Sequence, residues 1–183
     1  MNSRQEKGAK SMRKKTALRM TLLVLIGVLC AGAVRVLAQE WSRTIYPPPE
    51  QAQTELTAAL HRAAREHKRV LVDFGGNWCA DCKVLDYYLH QPENAALLAK
   101  NYELVDVNIG EYDRNLALAE RFGIPLKRGV PAVAVLDGHG KLLYSQKQGE
   151  FEAMRRVDPA AVTQFLMRWR PERAGCSVMA VNC

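Results

Sequence analysis

The stretch RVLVDFGGNWCADCKVLDYYLH, residues 69–90, decides how this chain is read. Apart from Arg69 and Asp73, its first six residues are apolar and mostly branched, the composition of a short strand buried within a sheet. Gly75 and Gly76 break that run, and from Cys79 onward the pattern is helical. The strand therefore hands over to a helix whose first turn carries two cysteines. A sulfur at a helix start lies beside backbone N–H groups that have no partner within the helix, which favours its thiolate. A cysteine three positions further on shares nearly the same face and is placed to attack the first sulfur. Cys79 is the expected nucleophile and Cys82 the expected resolving thiol.

Other uses of two cysteines at this spacing need additional residues. A zinc site needs a second pair or suitable histidines; Cys176 and Cys183 are separated by six residues and lie beyond the last predicted helix, so no metal ligand set is assigned. Haem attachment needs a histidine after the second cysteine, where Lys83 stands. An inert structural disulfide remains the plain alternative.

Working outward, Ala52, Leu56, Ala59, Leu60 and Ala63/Ala64 recur with helical spacing between Glu50 and Lys68. Downstream, PENAALLAKN (92–101) predicts a short helix opened by Pro92, and YELVDVNI (102–109) predicts a strand. Asp113 is the expected cap of a helix reaching about Phe122, with Gly123 as its stop. VPAVAVLD (130–137) and KLLYSQ (141–146) flank Gly138, His139 and Gly140 as a hairpin. A last helix starts near Asp158 and Pro159 and sets Val162, Phe165, Leu166 and Trp169 on one face. This order predicts an α/β domain with parallel strand pairing in its first half and a hairpin in its second.

VDFGGNWCADCK resembles the strand, tryptophan and redox-helix segment of the thioredoxin superfamily, particularly its exported or membrane-anchored bacterial members, and the likeness runs from about residue 52 to residue 169. The resemblance implies a thioredoxin-like α/β fold: a central mixed sheet flanked by helices. It implies that Asp73, six residues before Cys79, sits under the site and helps deprotonate Cys82. An aspartate inside so apolar a strand is costly to bury without a partner, so it is solvated, hydrogen-bonded or held for proton transfer. The resemblance favours the last. It also implies that Val130–Pro131 is a cis-proline element that aligns a partner chain by backbone pairing, where the residues alone would allow an ordinary strand-entry proline. The place of Trp78 beside a reactive cysteine favours a partly exposed platform for that partner over simple core packing.

Four departures from the family pattern carry their own expectations. Gly75 and Gly76 stand where bulkier residues are common, so the groove beside Trp78 is expected to be wider. Ala80 and Asp81 separate the cysteines. The charge of Asp81 near the thiolate disfavours that thiolate, a modest argument for reduction over oxidation. Asp106 stands where many thioredoxins place a lysine; if it faces inward beside Asp73, the two carboxylates titrate together. The segment PLKRG (125–129) lengthens the approach to Pro131 and brings Lys127 and Arg128 there, most simply as a solvated basic loop.

The ends of the chain place this domain. Its 183 residues are 48% hydrophobic and 25% charged, with a formal net charge of +7, but the excess is local. Residues 1–38 hold eight of the 26 Lys and Arg and one of the 19 acids, leaving eighteen of each sign in residues 39–183. A domain with no net positive charge offers no nucleic-acid footprint. The basic start followed by TLLVLIGVLCAGAV reads as an export signal, cleaved or retained as a membrane anchor, with Cys30 a passive apolar residue. The expected organisation is a signal or anchor over 1–38, a Pro-rich linker over 39–49, the thioredoxin-like domain over 50–170 and a cysteine-containing tail over 171–183.

In the tail, Cys176 and Cys183 are spaced to close a second disulfide, and could instead accept electrons from the first pair or take a soft metal. No nicotinamide or flavin fingerprint is present, so no cofactor is assigned and electrons are expected from another protein. The expected function is thiol–disulfide exchange with cysteine-containing exported proteins, preferentially as a reductase fed by a membrane thiol-transfer donor. The expected location is the periplasm or the outer face of a bacterial inner membrane. A copper-delivery protein and a non-catalytic binding module are the rival readings.

Overall fold

In the computed structural model, which describes residues 44–172, the run Arg69–Gly75 forms strand β1, one of two inner strands of a four-stranded sheet. Residues 1–43, where the signal or anchor segment and part of the linker are expected, and the tail cysteines Cys176 and Cys183 lie outside the described residues. Among the described residues, no helix is long and apolar enough to cross a membrane.

Helix α1 (Ala52–Glu66) precedes β1 and buries Ala52, Leu56, Ala59 and Ala63, the helically spaced stripe expected of it. Helix α2 (Ala80–Leu89) follows β1 with Cys79 as its N-cap; α3 (Pro92–Asn101) starts on its proline; β2 (Tyr102–Asn108) returns parallel to β1. Strand β3 (Ala132–Leu136) runs antiparallel to β1 and pairs with β4 (Leu142–Ser145), giving the order β2-β1-β3-β4. The parallel half and the hairpin half both take the form their sequences predict. Asp137 shapes the hairpin, its carboxylate accepting hydrogen bonds from the backbone N–H of His139 and Lys141. Helix α5 (Pro159–Arg168) is capped by Asp158, whose carboxylate accepts from Ala160 N at 2.9 Å.

Strand pleating sends alternate side chains to opposite faces of the sheet, and each face has its own apolar layer. Val70, Val72 and Phe74 pack with Leu56, Ala59 and Ala63 of α1, and with Val105 and Val107 of β2. Leu71, Val133 and Val135 pack with Leu85 and Leu89 of α2 and with Val162 and Leu166 of α5.

Two expectations need correction. Asp113 does not cap a helix: helix α4 spans only Leu116–Arg121 and its N-cap is Asn115. Tyr112 and Asn115 both take left-handed backbone conformations, which prevents the helix from reaching back to Asp113. The Asp113 carboxylate instead accepts from Glu111 N. The second concerns the segment before Glu50. Tyr46 is buried in one apolar cluster with Leu56, Phe74 and Cys82, so part of the stretch expected to be linker packs into the domain.

Candidate active site

Cys79 and Cys82 are joined in a disulfide at the start of α2, with 5.3 Å between their Cα atoms. Cys79 holds the N-cap position because Gly75 and Gly76 end the strand and the Cys79 N–H bonds back to Gly76 O, turning the chain into the helix. Its Sγ accepts a hydrogen bond from Cys82 N at 3.0 Å, so a thiolate there would lie on the free N–H groups of the first turn. Cys79 is 5% exposed and Cys82 0%, which makes Cys79 the sulfur a partner can reach.

Opposite the disulfide, the Val130–Pro131 bond is cis, and the Val130 carbonyl oxygen lies 3.5 Å from Cys79 Sγ. Gln146 holds this loop from the end of β4. Its side chain donates to Pro131 O and accepts from Val133 N, while its own N–H donates to Val133 O. Nothing in KLLYSQ marks that residue, because its partners are backbone groups thirteen to fifteen positions away.

Trp78 is 45% exposed beside Cys79. Its indole N–H donates to Gly110 O at 2.7 Å, and its ring packs against Tyr112 with centroids 5.4 Å apart. Gly76 permits that placement, since a Cβ there would come within 2.6 Å of the indole nitrogen. The space at Gly75 is also taken: a Cβ would come within 2.3 Å of the Tyr46 hydroxyl and 2.8 Å of Cys82 Sγ. The two glycines thus admit neighbouring side chains, and the wider groove expected from them is filled.

Asp73 is buried, and the Tyr46 hydroxyl donates to its Oδ2 at 2.6 Å. Oδ1 is buried without a hydrogen-bond partner among the described residues. Asp106 is the register partner of Asp73 across β1 and β2, and aligned residues of parallel strands point to the same face. Burial pushes the Asp73 carboxyl well above the usual carboxylate range, and the charges of Asp106 and Asp86 push the same way. The Tyr46 hydrogen bond pulls in the opposite direction. The Tyr46 phenol is itself raised, first by burial and then by the adjacent Asp73 charge.

Asp81 differs from its expected role. Its carboxylate accepts from Arg155 N at 2.9 Å, from Nε at 3.1 Å and from Nη2 at 3.0 Å. That fork holds the Asp81 carboxyl below its ordinary value and balances the charge expected to oppose the thiolate. Lys127 and Arg128 are exposed in a short 3₁₀ turn, where Arg128 donates to Gln148 O. Among the described residues, no group of three or more His, Cys, Asp or Glu side chains is arranged to hold a metal ion.

The arrangement supports a dithiol–disulfide cycle: a reachable sulfur on a helix N-terminus, a buried second sulfur, a buried acid, and a backbone edge for a partner chain. The profile of the thioredoxin-like family matches residues 51–138. The crystal structure of a disulphide isomerase from Xylella fastidiosa Temecula1 is similar at 37% identity and TM-score 0.65, over 69% of this chain and 96% of that one. The oxidised C-terminal domain of Neisseria meningitidis DsbD is similar at 22% identity and TM-score 0.45, over 70% of this chain and 100% of that one. A thioredoxin from Thermus thermophilus is similar at 21% identity and TM-score 0.43, over 69% and 86%. No curated protein matches the chain.

Proposed function

Because this chain belongs to the thioredoxin-like family and is a thiol–disulfide oxidoreductase, we propose that it reduces disulfides in exported proteins, with Cys79 as nucleophile and Cys82 as resolving thiol. The observation that carries this reading is the buried Asp73 carboxyl with an unpartnered oxygen, in the same pocket as the Tyr46 hydroxyl that borders Cys82. A proton acceptor near the resolving thiol serves the step that frees a reduced substrate. The thiolate of Cys79 attacks a substrate disulfide, and one substrate sulfur leaves as thiolate. Cys82, deprotonated through Asp73, then attacks Cys79 Sγ and releases the second.

The two electrons come from the Cys79/Cys82 dithiol. Restoring that dithiol requires a partner dithiol, in this reading a membrane thiol-transfer protein. Trp78 and the edge at Val130 and Pro131 hold the substrate chain, with the substrate pairing to backbone beside the disulfide. The basic leader followed by an apolar run supports work on the outer face of a bacterial inner membrane, anchored or released into the periplasm.

Isomerisation is the second reading, favoured by the name of the 37% identical Xylella fastidiosa relative. It uses the same first attack but returns Cys79 without net electron transfer.

The equilibrium reduction potential of the Cys79/Cys82 pair, with Cys176 and Cys183 replaced by serine, tests the direction. A value near the reducing end, roughly −270 mV, is the expected result. A value near roughly −120 mV would sink the reductase reading in favour of disulfide donation.

A further inference from the structure

The Tyr46 hydroxyl and Cys82 Sγ border the same small space, lying 2.3 Å and 2.8 Å from the point a Cβ on Gly75 would occupy. The same hydroxyl donates to Asp73 Oδ2 at 2.6 Å. Tyr46 thus stands at the junction of the buried acid and the buried thiol.

The chain is built to keep it there. Asn77, in the loop between β1 and Cys79, accepts hydrogen bonds from the N–H of Ile45 and Tyr46 and donates to Tyr46 O. Asn108 donates to Pro47 O, and Asn115 donates to Pro49 O. Three side chains from three parts of the domain hold residues 45–49 as a strap across the pocket.

We propose that Tyr46 is a positioning residue for the resolving half-reaction: its hydroxyl holds the Asp73 carboxylate by Oδ2 and leaves Oδ1 to take the proton of Cys82. The proposal rests on the reading of Asp73 as the acceptor for that proton. In the mixed disulfide, the Cys82 thiol gives its proton to Asp73. A Cys82 sulfur electron pair then forms the bond to Cys79 Sγ, and the Cys79–substrate bond breaks with its electron pair on the substrate sulfur. Protonated Asp73 returns the proton to that leaving thiolate, so the carboxylate is regenerated.

Burial weighs most on the ionisation of Asp73, and three side chains add to or oppose it. Asp106 from β2 and Asp86 from α2 oppose the charged form, Tyr46 from the strap supports it, and Cys82 from α2 is the proposed proton donor; the β3 residue paired with Asp73 is the uncharged Val133. Tyr46 is the member of this set that favours carboxylate. Without it, fewer molecules near neutral pH carry the base in working form.

The test uses the full chain with Cys30, Cys176 and Cys183 replaced by serine, reduced and mixed with an aromatic disulfide whose released thiolate absorbs visible light. The first release reports attack by Cys79 and the second reports attack by Cys82. Tyr46→Phe is expected to slow the second release about tenfold near neutral pH, the loss of one hydrogen bond to a charged group, and to move its pH profile to the alkaline side. Ring-fluorinated tyrosine at position 46 keeps the shape while strengthening the donor, and should move the profile the other way.

Uniform slowing at every pH, an unmoved profile with the fluorinated residue, or the same slowing by Tyr46→Phe in an Asp73→Asn background would each overturn the proposal. If Asp73→Asn itself leaves the pH dependence of the second release intact, the role read for Asp73 falls and takes this one with it. If Asp73→Asn moves the profile while both changes at Tyr46 do not, the role of Asp73 survives and that of Tyr46 fails.

Discussion

Asp73 shows most directly what a single residue costs and contributes. A carboxyl raised by burial binds its proton more tightly in the folded chain than in the unfolded one. Folding stability associated with it is therefore fully present in acid, below the unfolded carboxylate value, and is lost as pH rises through the higher folded value. Asp73→Asn is expected to make the protein more resistant to urea at neutral pH, with the difference closing in acid; equal midpoints at both pH values would contradict this. The acid's place was legible because charge inside RVLVDF is conspicuous. Asp81 was equally legible as a residue between the cysteines, yet its electrostatic effect was not. Arg155 lies 74 residues away, and its fork on that carboxylate exists only once the turn before α5 packs against α2.

At the scale of elements, the passage from β1 to α2 is where local preference and tertiary packing meet. A glycine pair after a strand is readable as a turn, but the turn alone does not explain Gly75. Its missing Cβ makes room for the Tyr46 phenol and the Cys82 sulfur, both belonging to other elements. Gly75→Ala should therefore cost about 1–3 kcal/mol in chemical denaturation through overpacking. A cost near zero would mean that the strap yields easily. Most elements were legible because their apolar spacing is regular, α1 and the β3–β4 hairpin above all. Helix α4 was not, because Asp113 looks like a cap in sequence while the left-handed turns at Tyr112 and Asn115 serve contacts elsewhere: Tyr112 packs on Trp78, and Asn115 donates to Asn108 O and Pro49 O.

For the described domain as a whole, the segment before α1 is a structural part of the active-site region. Asn77→Ala removes three hydrogen bonds to the strap at once, and the backbone N–H groups of Ile45 and Tyr46 should then exchange with solvent markedly faster than in the parent protein. Unchanged exchange at these two amides would show that the strap is held by packing alone. The order of strands and helices, the redox helix and its two cysteines follow from the sequence by itself. Each depends on periodicity or on neighbours a few positions apart, which a linear reading captures. The tertiary structure alone decided that Tyr46 caps Asp73, that Gln146 braces the loop at Pro131, and that Arg155 balances Asp81. Those contacts join residues 27, 15 and 74 positions apart, and their energies arise from burial and alignment that exist only when separate elements meet.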